Sequence, residues 1–266
     1  MKRLYRINYI ESFILILKFC ILNVINVFLK NLLISINIPK YIIFSILYII
    51  PFLCLFAYIF YTNKKQNKII DFSLKISSYK IYTVLFFIML CIIICNNYLI
   101  CLIPKNGPII GNMHKEIEKF VIEESKNTIT FFFITSILAP ICEEILFRGI
   151  ILHGMLKNNI HPVKAILFSS FLFGLTHMNP WQFISGLLIG SFIGFIYVVN
   201  VSIIDCILLH IFNNIVASFM LFFMTKNEQI FYNLTSNYII LISCITIIIF
   251  GCIFIFKNKT KWKILP

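Results

Sequence analysis

The sequence predicts an all-α fold, a polytopic bundle of about eight transmembrane helices that encloses a polar intramembrane cavity. Sixty per cent of the residues are apolar and 12% are charged, whereas soluble domains average about 25% charged residues. Apolar runs recur along the whole chain, and about 20 residues suffice to cross the hydrocarbon core. Ionisable residues gather inside three of these runs, where a charge costs at least about 2.5–3.5 kcal/mol. The bundle must therefore have a polar interior.

The predicted spans follow the apolar runs in chain order. They cover residues 9–29, 41–61, 81–103, 128–153, 162–178, 182–200, 203–225 and 238–256. The first span is too long for a signal peptide and is not followed by a small-residue cleavage site, so we interpret it as a retained anchor. The chain divides into transmembrane helices with polar loops (1–127), a core with all the motifs (128–225), and a final helix with a basic tail (226–266).

The net charge of +13 comes from basic residues between the apolar runs and at the chain ends. This distribution predicts a multi-pass protein of the cell membrane with cytoplasmic termini, in contact with anionic lipid headgroups. It lacks the basic stripe of a nucleic-acid-binding protein, and we expect no nucleic-acid partner. The nine scattered cysteines do not form a disulfide framework. Four ionisable residues near span ends are predicted to be interfacial: His114, His153, His161 and Asp205.

The first motif is Glu143-Glu144-x-x-x-Arg148. Glu144 and Arg148 are four residues apart, so in a helix they share a face and can neutralise each other. Glu143 points about 100° away and has no partner within the helix, which leaves it available for chemistry. The alternative is that both carboxylates only hold helices together. Pro140, just before the motif, predicts a kink.

The second and third motifs are Phe173-x-x-x-His177 and His210-x-x-x-Asn214, each with both residues on one helix face. Glu143, His177 and His210 could hold Zn2+ or another divalent metal as a His/His/carboxylate set with an open position. A metal-free mechanism is also consistent with these residues. Glu143 would then act as general base with help from His177, while His210 and Asn214 would donate to the oxyanion. The residue types leave both mechanisms open.

The fifth and sixth spans carry two further features. For His177 to reach Glu143, we expect a break at membrane depth around Asn179-Pro180-Trp181-Gln182, which is tolerated only beside a protein-enclosed or watery cavity. Gly186, Gly190 and Gly194 form a small-residue stripe that predicts close helix packing. The sixth span therefore holds the two histidine helices together.

In this order, each inside an apolar segment, the three motifs resemble those of the CPBP family, the CAAX proteases and bacteriocin-processing enzymes also called Abi. The matching residues are Glu143-Glu144-Ile-Leu-Phe-Arg148, Phe173-Gly-Leu-Thr-His177 followed by Asn179-Pro180-Trp181-Gln182, and His210-Ile-Phe-Asn-Asn214. The resemblance covers residues 127–220, and its Asn-Pro-Trp-Gln stretch is similar to bacterial members.

The resemblance implies a metalloprotease-type intramembrane endopeptidase that acts on a membrane-associated peptide or protein. By this likeness Glu143 activates water, His177 is its partner or a metal ligand, and His210 with Asn214 completes the site. Glu144, Arg148 and Phe173 are motif residues with a structural role. The alternative is a non-catalytic bacteriocin self-immunity protein. A transporter would show pseudo-symmetry between its halves, and none is evident in the sequence.

Overall fold

The computed structural model describes residues 3–235 and 237–258, with side chains outside 221–235. This described chain is almost entirely helical, which confirms the all-α prediction. Its helices are α1 (Tyr9–Ser35), α2 (Lys40–Lys65), α3 (Tyr79–Cys101), α4 (Ile110–Glu124), α5 (Thr128–Lys157), α6 (Pro162–Thr176), α7 (Pro180–Asn200), α8 (Ile203–Thr235) and α9 (Tyr238–Asn258). Two short strands, β1 (Arg3–Leu4) and β2 (Lys68–Ile69), pair in parallel. They join the N-terminus to the connector between α2 and α3.

Seven of the described helices are long and apolar enough to cross a membrane: α1, α2, α3, α5, α7, α9 and the Ile203–Met220 part of α8. The protein is thus a multi-pass membrane protein. The predicted fifth span, 162–178, is the exception, because α6 has 15 residues. At 1.5 Å per residue α6 is about 22 Å long, shorter than the roughly 30 Å of a hydrocarbon core.

Helix α5 alternates between α-helical and π-helical turns. Its π segments are Ile134–Leu138 and Ile145–Leu152, on either side of the α-helical segment Ala139–Glu144. In the first π segment the Ala139 N–H bonds to the Ile134 carbonyl, five residues earlier. Pro140 would next bond to Thr135 in this register, but proline has no N–H. At Pro140, where the sequence predicts a kink, the helix changes from π to α hydrogen bonding. Turns of π-helix often occur at functional sites.

Helices α6 and α7 form a tight hairpin. The chain leaves α6 at His177, passes through Met178 with φ +52°, and enters α7 where Asn179 Oδ1 accepts from the Gln182 N–H at 2.9 Å. The break therefore lies at residues 177–179, and its predicted position at 179–182 is wrong for the last three residues. Pro180 begins α7 because its fixed φ suits the first helical turn, where its missing N–H costs no bond.

Glycines allow the close approach of α6 and α7. A Cβ on Gly186 would lie 2.7 Å from the Gly174 Cα, and a Cβ on Gly174 would lie 2.7 Å from the Phe183 carbonyl oxygen. A Cβ on Gly190 would lie 3.3 Å from Arg148 Nη2. The predicted small-residue packing is confirmed, and it brings α7 against both α6 and α5.

His153 and Asp205 lie near helix ends, as expected, and both are buried within the protein. Their position at the membrane interface stays a prediction. His153 is 1% exposed, with Nε2 2.9 Å from Asp71 Oδ1 and Nδ1 2.7 Å from the Tyr197 hydroxyl. Asp205 accepts hydrogen bonds from the Tyr82 hydroxyl and the Asn200 amide, both at 2.6 Å. These contacts anchor the α2–α3 connector and the start of α3 to the ends of α5, α7 and α8.

Candidate active site

The two adjacent glutamates have different surroundings. Glu144 is fully buried, and its Oε1 accepts from Arg148 Nη1 at 2.7 Å. Arg148 donates through Nη2 to the Gly190 carbonyl at 2.9 Å, which links α5 to α7. Because a buried arginine needs both a counter-charge and hydrogen-bond acceptors, Glu144 has a structural role.

Glu143 is only partly buried and lines a cavity of about 650 Å³. Its Oε1 accepts a hydrogen bond from the Tyr48 hydroxyl at 2.8 Å. Tyr48 belongs to α2, outside the segment 128–225 that carries the three motifs. No motif marks this residue, which is one of twelve tyrosines in the chain.

His210 lies between the two glutamates. Its Nδ1 is 2.7 Å from Glu144 Oε1, and its Nε2 is 3.6 Å from Glu143 Oε2. Because a carboxylate can only accept, the short contact places a proton on Nδ1. We infer this tautomer from the hydrogen bond. In the neutral ring, Nε2 then directs its lone pair towards Glu143.

Phe173 sets the positions of both histidines. Its ring lies 5.2 Å from the ring of His177 and 5.7 Å from that of His210, in edge-on geometry. The Arg148 guanidinium is 5.3 Å from the same ring. Phe173 therefore packs against the ion pair and both histidines, and His177 lines the same cavity as Glu143.

The short length of α6 explains how His177 reaches Glu143. The turn 158–161 joins α5 and α6. Two residues on these helices therefore lie at the same height when they are equally far from this turn. Glu143 is about 21 Å from the end of α5, and His177 is about 22 Å from the start of α6, at 1.5 Å per residue. The two side chains are consequently level without a break inside either helix.

Asn214 connects α8 to the first π segment of α5. Its Nδ2 donates to the Thr135 carbonyl at 2.8 Å, and its Oδ1 accepts from Asn213 at 2.9 Å. In the π register the Thr135 carbonyl would accept from residue 140, but Pro140 has no N–H. The side-chain amide of Asn214 donates to this carbonyl instead. Its predicted contribution to an oxyanion site stays a prediction.

The cavity is lined by many apolar and several charged side chains. Its apolar walls come from α1, α2, α4 and α5, including Phe44 and Phe147. The charged side chains around it are Lys30, Lys40, Glu123, Glu124 and Lys126. Such a cavity suits an apolar peptide segment with polar groups at one end.

The donor atoms do not fit the predicted metal site as they stand. Within the described part of the chain, no group of three or more His, Cys, Asp or Glu side chains could hold a metal ion. The hydrogen bond from His210 Nδ1 to Glu144 leaves Nε2 as the only nitrogen of that ring available to a metal. The role of Glu143, His177 and His210 as ligands of Zn2+ or another divalent metal therefore stays a prediction, and we derive no catalytic step from it.

Residues 125–216 match the family described as Type II CAAX prenyl endopeptidase Rce1-like. The matched segment begins just before α5 and includes all three motifs. Helices α1–α4 lie outside it, although α2 supplies Tyr48. No curated protein and no solved structure matches the chain.

Proposed function

Since this chain is a member of the CPBP/CAAX protease family through residues 125–216, we propose that it is an intramembrane endopeptidase acting on a membrane-associated peptide or protein. The observation that carries the proposal is the difference between its two glutamates. Glu144 is hydrogen-bonded to both Arg148 and His210. Glu143 instead lines the cavity, and so does His177. A carboxylate in such a cavity can act as a general base.

The proposed reaction is hydrolysis with Glu143 as the base. The 3.6 Å between Glu143 Oε2 and His210 Nε2 is longer than a good hydrogen bond, and such polar gaps are often bridged by water. A water held there would lose a proton to Glu143 as its oxygen attacks the scissile carbonyl carbon. Glu143 would then pass this proton to the amide nitrogen as the C–N bond breaks, which releases an amine and a carboxylic acid. The hydroxyl of Tyr48 would keep the other carboxylate oxygen in place.

His177 is the best-placed donor for the developing oxyanion. Its imidazole makes no hydrogen bond within the described part of the chain, and it lines the cavity beside Glu143. His210 is engaged by Glu144, and Asn214 by Thr135. We therefore assign to His177 the stabilising contact with the carbonyl oxygen.

Glu143→Gln tests the proposed function. The amide keeps an oxygen that can accept from Tyr48 but cannot take the proton from water. We expect a peptide or new terminus made by cells with the wild-type chain to disappear from their membrane and secreted fractions when they carry this variant at matched expression. Glu118→Gln is the matched control, because Glu118 is on α4 and does not line the cavity.

Identical peptide profiles for the wild type and Glu143→Gln would contradict proteolysis. If an immunity phenotype also persisted in this variant, a non-catalytic self-immunity role would replace the proposal.

We also propose that the protein resides in the cell membrane with both termini in the cytoplasm. The basic residues of the α2–α3 connector support this orientation, since such residues favour the cytoplasmic side. The tail lysines at 259, 261 and 263 lie outside the described residues. Protease digestion of tags at both termini in sealed vesicles with the cytoplasmic side inside tests this orientation. Tags that are protected until the vesicles are opened would support it, and tags that are digested in the sealed vesicles would contradict it.

A further inference from the structure

A second cavity, of about 670 Å³, lies where the end of α2 and the following connector meet α5. Its walls are largely apolar and include Phe56, Ile59, Phe72, Ile145 and Ile150. Neither Glu143 nor His177 lines it, so it is separate from the candidate active site.

The polar side of this second cavity carries positive charge only. Lys64 and Lys68 line it together with Asn63 and Asn67, and no carboxylate is among the lining residues. Neither lysine side chain has a hydrogen bond or ion pair among the described residues. The carboxylate of nearby Asp71 is engaged by His153 and Lys157.

We propose that this cavity binds an anionic phospholipid. The phosphate would lie between Lys64 and Lys68, where lysine offers a charged donor, and an acyl chain would pack against the apolar walls. Apolar surface with cations at one end is complementary to such an amphiphile, and each lysine near an anionic headgroup contributes about 1 kcal/mol.

The position of the cavity gives the lipid a structural consequence. Ile145 directly follows Glu144, and Ile145 and Ile150 both belong to the second π segment of α5. A bound acyl chain would therefore pack against the helix turns that carry the Glu144–Arg148 pair. The proposal concerns binding alone and does not depend on proteolysis.

Photolabelling of the purified full chain tests the proposal. The probe is phosphatidylglycerol with a diazirine in its acyl chain, used in phosphatidylcholine vesicles. We expect labelled peptides from the end of α2 and from residues 145–150. The double variant Lys64→Gln/Lys68→Gln should need roughly 25-fold more probe for equal labelling, or roughly fivefold for each lysine.

Lys65→Gln is the matched control. It removes the same charge from the same helix end, but Lys65 does not line the cavity. This variant should label like the wild type, and so should Glu143→Gln, which separates lipid binding from the proposed activity. Equal losses in Lys65→Gln and in the double variant would overturn the proposal.

A salt titration of the wild type tests the same idea if the double variant fails to fold. Labelling should fall as salt rises, because the Debye length shrinks from about 10 Å at 0.1 M to about 3 Å at 1 M. Labelling that is insensitive to salt, equal with a phosphatidylcholine probe, or spread evenly over the lipid-facing helices would refute a specific anionic-lipid site.

Discussion

Helix α5 takes part in two clusters that contain the same kinds of residues. The cavity cluster consists of Tyr48, Glu143, His177 and His210, and the tether cluster consists of Asp71, His153, Lys157 and Tyr197. Each combines carboxylate, imidazole and phenol. Tyr48 donates to Glu143, and His210 Nε2 lies 3.6 Å from the same carboxylate, whereas His153 is hydrogen-bonded to both Asp71 and Tyr197. Composition alone therefore does not distinguish a site from a structural network.

The difference between the clusters lies in which atoms remain available. In the tether cluster, both ring nitrogens of His153 are engaged, and both carboxylate oxygens of Asp71 have partners. In the cavity cluster, His177 and one face of Glu143 are directed to the 650 Å³ cavity. Unused hydrogen-bonding capacity beside a cavity marks the cluster that can act on a substrate.

The largest expected effect is that of Glu143→Gln on turnover. Loss of the general base should lower kcat by about 10²- to 10⁴-fold, while the free energy of unfolding changes little because Glu143 is only partly buried. Peptide cleavage and thermal unfolding, both in detergent, measure the two quantities. A large loss of stability with normal turnover would reverse the roles assigned to the two glutamates.

Glu144→Gln should show the opposite pattern, mainly a loss of stability. Removing one partner of a buried ion pair leaves an uncompensated charge and typically costs about 3–5 kcal/mol. The Arg148 side chain would be that charge. Thermal unfolding compared with Glu143→Gln measures the effect, and equal melting temperatures for the two variants would contradict it.

Tyr48→Phe and Tyr197→Phe form a matched pair across the two clusters. Each removes one hydroxyl from a histidine- or carboxylate-containing network. A hydrogen bond to a charged group is worth about 1.5–3 kcal/mol, so Tyr48→Phe should lower turnover by roughly 10- to 100-fold. Tyr197→Phe should leave turnover unchanged and reduce only thermal stability. Equal effects of both on turnover would remove the distinction between the clusters.

Asn214→Ala should destabilise the protein by about 1–3 kcal/mol, because the Thr135 carbonyl loses its donor. Pro140→Ala would restore a backbone N–H in the same register. The double variant Pro140→Ala/Asn214→Ala should therefore recover part of the loss in thermal stability. Strictly additive losses would show that Asn214 does not substitute for the missing N–H of Pro140.

The smallest expected effect concerns pH and the tether cluster. Burial raises the pKa of Asp71, but hydrogen bonds from His153 and Lys157 outweigh this and hold the pKa below its ordinary value. The folded state thus favours the ionised form of Asp71. Its contribution to the free energy of unfolding is complete above the unfolded-state pKa of about 3.9. This contribution is lost as the pH falls through the lower folded-state pKa. The effect is small because Asp71 is 39% exposed and solvent screens its charge.

Thermal unfolding of the wild type and Asp71→Asn between neutral and acidic pH tests this sign. The wild type should be the more stable at neutral pH, and the difference should vanish in acid. A difference that grew on acidification would contradict the depressed pKa.

The sequence predicted the helical class, the membrane setting and the different orientations of the two glutamates. These features follow from composition and from helical periodicity, which act over a few residues. The spacing of Glu144 and Arg148 indicated the ion pair because residues four apart share a helix face. The glycine stripe indicated close packing for the same local reason.

Other features depend on contacts distant in the chain. Tyr48 is 95 residues from Glu143, and no local pattern separates it from a packing tyrosine. The hydrogen bond of His153 is equally non-local, because its partner Asp71 lies 82 residues away in a connector without regular spacing. The first π segment also involves a distant contact, because Asn214 on α8 donates to its Thr135 carbonyl. No local pattern predicts this contact.

The short helix α6 also has a consequence for the surrounding bilayer. A helix about 8 Å shorter than the hydrocarbon core creates a hydrophobic mismatch, which a membrane accommodates by thinning or by drawing headgroups inward. The amphipathic α4 lies at the α6–α7 turn, where the rings of His114 and Trp181 are 5.0 Å apart. We expect the bilayer to be locally thinned beside this turn, which would shorten the path of water to His177 without any channel through the bundle.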